Sequence, residues 1–147
     1  MFVIDSNILI SALIKDSTTR KIIIESGMSF YYPEISLSEI FNYEKDIMKK
    51  GGYNKNTLIS ILDRLLQHIN LVPLEIFSNK LNEAKKIMGN IDINDTIFIA
   101  TALALDNAVI WSDDKDFDRQ KRIKVTKTKD MIKLFKKNNQ ANKPKNL

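Results

Sequence analysis

The chain has 147 residues, of which 44% are hydrophobic and 28% charged, with a net charge of +5 and no cysteine. That length supports one domain burying about two-thirds of its unfolded surface, and the composition is that of an ordinary globular protein. Disulfides and thiolate metal sites are excluded, and no apolar run approaches the roughly 18 residues of a membrane span.

Residues 1–4 read as a first strand running into Asp5, followed by a helix that Ser6 or Asn7 can cap. Asp5 interrupts the apolar stretch and no basic leader precedes it, so no signal peptide and a cytoplasmic location are expected. Residues 29–32 form a short strand candidate ended by Pro33. Next, Ile35-Ser36-Leu37-Ser38-Glu39-Ile40 carries a capping-box signature, Ser-x-x-Glu between two isoleucines, and predicts one helix ending near Gly51-Gly52. Asn54 begins another, with Leu58, Ile61, Leu62 and Leu65 at helical spacing, a helix that also carries His68. Residues 69–72 read as a strand stopped by Pro73.

Phe77, Leu81, Ala84 and Met88 mark one face of a helix ending at Gly89. Asp92-Ile93-Asn94-Asp95 opens the next, whose body at 97–105 is apolar nearly all round and is therefore predicted to be buried. Residues 108–111 form a strand running into Ser112-Asp113-Asp114. A short strand and a last helix reaching Lys137 complete a single domain, 1–137. Residues 138–147 are polar, contain Pro144 and read as a mobile tail. Strands alternating with helices predict an α/β fold with a central, mostly parallel sheet covered on both faces.

Two strands ending in aspartate, Asp5 and Asp113 or Asp114, deliver carboxylates to one rim if both lie in that sheet. Acids brought together repel unless protons or cations neutralise them, and a hard divalent cation with oxygen ligands does so. Each acid also has a plainer role. Asp5 can cap the first helix, and the capping box with Ser36 accounts for Glu39. Asp92 and Asp95 suit the dipole of the buried helix, although two acids in one turn exceed what capping requires. Asp113, Asp114 and Asp116 can be a solvated turn, and Phe117 can anchor it. Spacing leaves open which of these three points inward.

Together, Val3-Ile4-Asp5-Ser6-Asn7-Ile8-Leu9-Ile10, Ser38-Glu39-Ile40, Asn94-Asp95-Thr96-Ile97-Phe98-Ile99-Ala100-Thr101-Ala102-Leu103 and Trp111-Ser112-Asp113-Asp114-Lys115-Asp116-Phe117 resemble the PIN-domain family of metal-dependent nucleases. The resemblance covers roughly residues 1–135 and implies a three-layer α/β/α sandwich. It carries the metal-binding and catalytic roles to Asp5, Glu39, Asp95 and Asp114. Asp114 is preferred to Asp113 because Ser112, Asp114 and Phe117 fit the family's Ser/Thr-x-Asp-x-x-Phe pattern. Asn7 and Ser112 would orient the carboxylates, with Asp92, Asp113 and Asp116 as further candidate ligands. Lys115 or Arg119 would steady the scissile phosphate. The implied cofactor is Mg2+ or Mn2+ and the implied reaction is hydrolysis of RNA phosphodiester bonds. Similarity to VapC-type toxins further implies a homodimer and a protein antitoxin.

A single histidine, His68, excludes a histidine-pair mechanism. A haloacid-dehalogenase-like phosphatase would want a second Asp where Asn7 stands, and a receiver domain arranges its acids differently. The main alternative is a non-catalytic RNA-binding or regulatory module that retains the acidic pocket. Charge distribution bears on both readings. Residues 115–147 carry 12 Lys+Arg against 3 Asp, whereas 1–114 carry 11 Lys+Arg against 15 Asp+Glu. A basic end beside an acidic body suits gripping a phosphate backbone, and equally suits a solvated helix and tail.

Overall fold

The protein is described by a computed structural model covering residues 1–14 and 17–144. Five strands, β1 (Phe2–Ile4), β2 (Phe30–Pro33), β3 (Ile69–Val72), β4 (Val109–Trp111) and β5 (Val125–Thr126), form one sheet in the order β3-β2-β1-β4-β5. Every neighbouring pair is parallel. The crossovers that parallel pairing requires are made by α1 (Ser6–Ile14), α2 (Thr18–Glu25), α3 (Leu37–Asn42), α4 (Glu44–Gly51), α5 (Lys55–Leu66), α6 (Leu74–Phe77), α7 (Leu81–Met88) and α8 (Thr96–Ala104). Helix α9 (Thr128–Ala141) follows β5. Helix α8 lies against β1, β2 and β4 and is backed by α6 and α7, while α1, α2, α5 and α9 pack with one another. The result is an α/β/α sandwich.

The central strands are buried because both faces are covered: Val3, Ile4, Ile110 and Trp111 are fully inaccessible. Trp111 packs on Phe30 at a ring separation of 5.7 Å, joining two strands that flank β1. Helix α8 buries Thr96 and every residue from Phe98 to Leu103, as its all-round apolar pattern predicts. It reaches β4 through a tight turn in which Asp106 and Asn107 take φ values of 55° and 59°, a left-handed conformation that Asp and Asn tolerate better than most residues. Among the described residues, no helix is long and apolar enough to cross a membrane.

Several element boundaries differ from the sequence pattern, each for a local reason. Pro33 ends β2 in extended geometry, and a 3-10 turn begins at Glu34. Ser36 is therefore already helical (φ −82°, ψ −5°) and cannot serve as the extended N-cap of a capping box; its side chain caps nothing. The single helix expected to reach Gly51 is interrupted at Tyr43, giving α3 and α4. Its stop is as predicted, with Gly52 left-handed at φ 71°. A 3-10 turn at Ser78–Lys80 likewise divides the helix expected from Phe77 to Met88. His68 sits exposed in the turn after α5, not within the helix. Helix α9 continues through Ala141, past the Lys137 boundary expected for the domain, and residues 145–147 of the expected tail lie outside the described residues.

Candidate active site

The strand order reverses between β1 and β4, and at such a switch point the loops beyond the carboxyl ends diverge and leave a crevice. The parallel register pairs Ile4 with Trp111, so Asp5 and Ser112 emerge level with each other. Asp5 is 4% exposed and held at both oxygens. The Ile8 N–H donates to Oδ1 at 3.0 Å, and the Ser112 hydroxyl donates to Oδ2. Ser112 is itself fully buried and accepts the Asp114 N–H at 3.0 Å, tying the loop after β4 to the acid after β1.

Of the three capping residues open to α1, Asp5, Ser6 and Asn7, it is Asp5 that takes the role. Ser6 instead bonds the Tyr32 hydroxyl at 2.7 Å, and Tyr32 donates onward to the Ser36 carbonyl at 2.9 Å. Since the Tyr32 proton is committed to Ser36, the Ser6 hydroxyl is the donor of the first bond. Burial pushes the Tyr32 pKa up and keeps the phenol neutral. This buried relay joins α1 to the turn that carries α3 and Glu39. Asn7 lines the crevice but is exposed, and its side chain engages no acid among the described hydrogen bonds. Its backbone, not its side chain, bonds Asp5.

Opposite Asp5, the chain enters α8 through a 3-10 turn, Ile93–Asp95. Asp92 caps this turn, accepting the Asn94 N–H at 2.9 Å. Asp95 occupies the N-cap position of α8 but makes no side-chain cap, and its Oδ2 is buried without a hydrogen-bond partner. Glu39, freed from any capping box, is half-buried on the first turn of α3. Asp5, Asn7, Glu39, Asp92, Asp95 and Asp114 share one cleft of about 180 Å³, with Phe98 and Tyr43 among its walls and, among the described residues, no lysine or arginine. Beneath it, Phe98 packs between Tyr32 at 6.0 Å and Phe117 at 6.5 Å. Tyr43, 54% exposed, was not singled out from sequence; the helix break that turns it into the cleft has no sequence signature.

The loop after β4 separates its three acids. Asp113 turns away from the cleft and accepts the Thr128 N–H at 2.8 Å and the Thr128 hydroxyl at 2.6 Å, holding the start of α9. Thr128 in turn accepts the Trp111 indole N–H at 3.0 Å. Asp114 faces the cleft and caps the following 3-10 turn (Lys115–Arg119) through the Asp116 N–H at 2.9 Å. Asp116 comes together with Asp92 and Asp95, one carboxylate oxygen from each lying within 4.8 Å of the others. Lys115 is exposed, and Arg119 lies 4.0 Å from Asp116. Lys127, overlooked in the sequence, pairs with Asp118 at 2.9 Å and donates to the Asp114 carbonyl at 3.3 Å, bracing this loop from β5.

A family model described as PIN domain matches residues 3–136. The chain belongs to the PIN-domain family. Among curated proteins and among solved structures there is no significant match. PIN domains are typically metal-dependent nucleases, and the acidic cluster of this PIN domain is compatible with that chemistry.

Whether these residues suit a divalent cation is tested by Asp95. Burial, and then the charges of Asp92, Asp114, Asp5 and Asp116, push its pKa up to about 7. Asp5 is raised too, by burial above all, against the opposing bonds from Ser112 and Ile8. An orphaned carboxylate oxygen among like charges, with no cationic side chain lining the cleft, is neutralised only by protons or by an added cation. An all-oxygen donor set of this kind matches a hard divalent ion. The PIN domain's residues fit the group.

Proposed function

We propose that this chain is a metal-dependent endoribonuclease using Mg2+ or Mn2+, and that Asp95 is the common member of two acid sets. One set is Asp92, Asp95 and Asp116, whose oxygens converge within 4.8 Å. The other is Asp5, Glu39, Asp95 and Asp114, which line the same cleft. The buried, unpartnered oxygen of Asp95 is the observation that carries the reading. A divalent cation held there would supply Lewis-acid polarisation of a phosphate oxygen and a more acidic water.

The chain's own contribution is positioning. Ser112 holds Asp5 and the Asp114 backbone in one arrangement, so neither acid must be ordered when substrate arrives. Tyr32, Phe98 and Phe117 keep the floor apolar and strengthen electrostatic interactions above it. With its acids neutralised by a bound cation, the small cleft suits a single-stranded or looped RNA better than a duplex interior. On the resemblance to VapC-type toxins, the proposed setting is a cytoplasmic toxin, homodimeric and silenced by an antitoxin.

The test is cleavage of a mixed structured RNA by wild type and Asp95→Asn, with Mg2+, Mn2+ or EDTA, circular dichroism reporting the fold. Cleavage should require metal and vanish in the variant. Full activity of a folded Asp95→Asn protein would remove Asp95 from the mechanism. Salt-sensitive RNA binding without cleavage under either metal would replace the nuclease by a binding module.

A further inference from the structure

We infer that the connection from the 3-10 turn to β5 forms a second, separate binding site: a basic groove that takes the phosphodiester backbone of single-stranded RNA flanking the cleavage point. The inference rests on the nuclease reading for the identity of its ligand. The groove has a volume of about 590 Å³, and its walls include Lys121, Arg122 and Lys124 beside Phe117 and Asp118. It begins where the acidic loop ends, because Phe117 and Asp118 directly follow Asp116 of the converging trio. This connection then runs along the β5 edge of the sheet to its amino end, where Arg122 bonds Asn107 and the Lys124 carbonyl accepts the Ile110 N–H. A strand leaving the cleft would follow that edge over about 10 Å, the length of β4, to meet the cations.

The groove's charge is not neutralised internally. Its one acid, Asp118, is already paired with Lys127. Arg122 is engaged with Glu83 at 3.8 Å and with Asn107 at 3.0 Å. Lys121 reaches only the Asp118 carbonyl, at 3.5 Å, and Lys124 makes no ion pair among the described residues. Both lysines are exposed and available to phosphate.

The backbone beneath them is fixed. Gln120, 7% exposed, donates to the Phe117 and Ile123 carbonyls at 2.9 and 2.8 Å and accepts the Ile123 N–H at 2.8 Å. One buried amide thus closes the loop that presents both lysines, and Ile123 and Phe117 anchor it in the core. A preordered frame with unpaired ammonium groups lowers the ordering cost of holding a polyanion.

The test compares wild type, Lys121→Gln/Lys124→Gln and Lys45→Gln/Lys49→Gln, the last carrying the same charge change on α4. Fluorescence anisotropy of a labelled single-stranded RNA is followed against salt in EDTA, so that binding is read without turnover. The groove variant should bind about tenfold more weakly, with a log–log salt slope shallower by about 0.7 for each phosphate no longer neutralised. With metal present it should show a raised KM and an unchanged kcat. The α4 variant should resemble wild type. Equal losses in both variants, or no loss in either, overturn the groove. If wild type cuts RNA while the groove variant binds and cuts identically, the groove fails and the nuclease stands. If wild type binds through the groove but cuts nothing with metal, the nuclease fails and the groove stands.

Discussion

The acidic cleft and the basic groove hang on the same stretch of chain, yet they are built in opposite ways. The cleft gathers acids from four separate segments, after β1, on α3, before α8 and after β4, onto a buried aromatic floor. Its charges are partly desolvated and unfavourable to one another, as the raised pKa of Asp95 records. The groove takes its cations from one short loop, exposed to water and held from below by Gln120. Crowded, partly desolvated like charges suit a cation, whereas separate, solvated cations suit a polyanion.

The sharpest way to break this contrast is Asp95→Asn. Partners that merely orient metal ligands cost 10–100-fold when removed, so removing Asp95 should reduce cleavage by at least about 100-fold. Single-turnover assays with Mg2+ would measure it. Ser112→Ala comes next: with Asp5 no longer tied to the loop after β4, apparent metal affinity should fall by about 10–100-fold, read by titrating Mn2+ into the cleavage assay. An unchanged Mn2+ midpoint would show that the serine serves folding alone.

Asp113→Ala separates the two neighbouring acids after β4. It removes the hold on Thr128 and should cost about 0.5–2 kcal/mol of stability, seen as a Tm drop of a few degrees, with cleavage retained. Loss of cleavage in a stable Asp113→Ala protein would contradict its placement outside the cleft.

The smallest effect is on stability without metal. Asp95 has a folded pKa of about 7 against an ordinary value of 3.8, so the folded protein binds more protons between those values. Its contribution to stability is therefore greatest at low pH and is lost as pH rises through 7. Metal-free Asp95→Asn should melt a few degrees above metal-free wild type at pH 8, with the gap closing towards pH 5. Saturating Mg2+ should reverse the order by stabilising wild type alone. Melting curves that keep the same separation at both pH values would remove charge crowding as the cause.

Much of the cleft is legible in the order of residues. Apolar strands ending in aspartate, the all-round apolar pattern of α8 and the Ser112, Asp114, Phe117 spacing are local signals, and the pairing of Ile4 with Trp111 brings their consequences together. The capping box at Ser36 is also a local signal, and it fails because Pro33 imposes a 3-10 turn one step earlier. His68 and the break at Tyr43 fail similarly, since helix boundaries depend on what the flanking residues pack against.

The amino-acid order alone determined the α/β class, the parallel sheet and the identity of the acids that could meet, because alternation of apolar periodicity is written residue by residue. Only the tertiary structure decided which acids do meet. Asp113 and Asp114 are neighbours of identical chemistry, and one holds α9 while the other faces the cleft. Asp116 joins Asp92 and Asp95 although 21 positions separate it from the nearer of them. Such choices follow from sheet register and loop direction, which place side chains in space by contacts between distant segments. The Ser112, Asp114, Phe117 pattern favours Asp114, but no spacing along the chain encodes the partners of Asp113 or the convergence of Asp116 with Asp92 and Asp95.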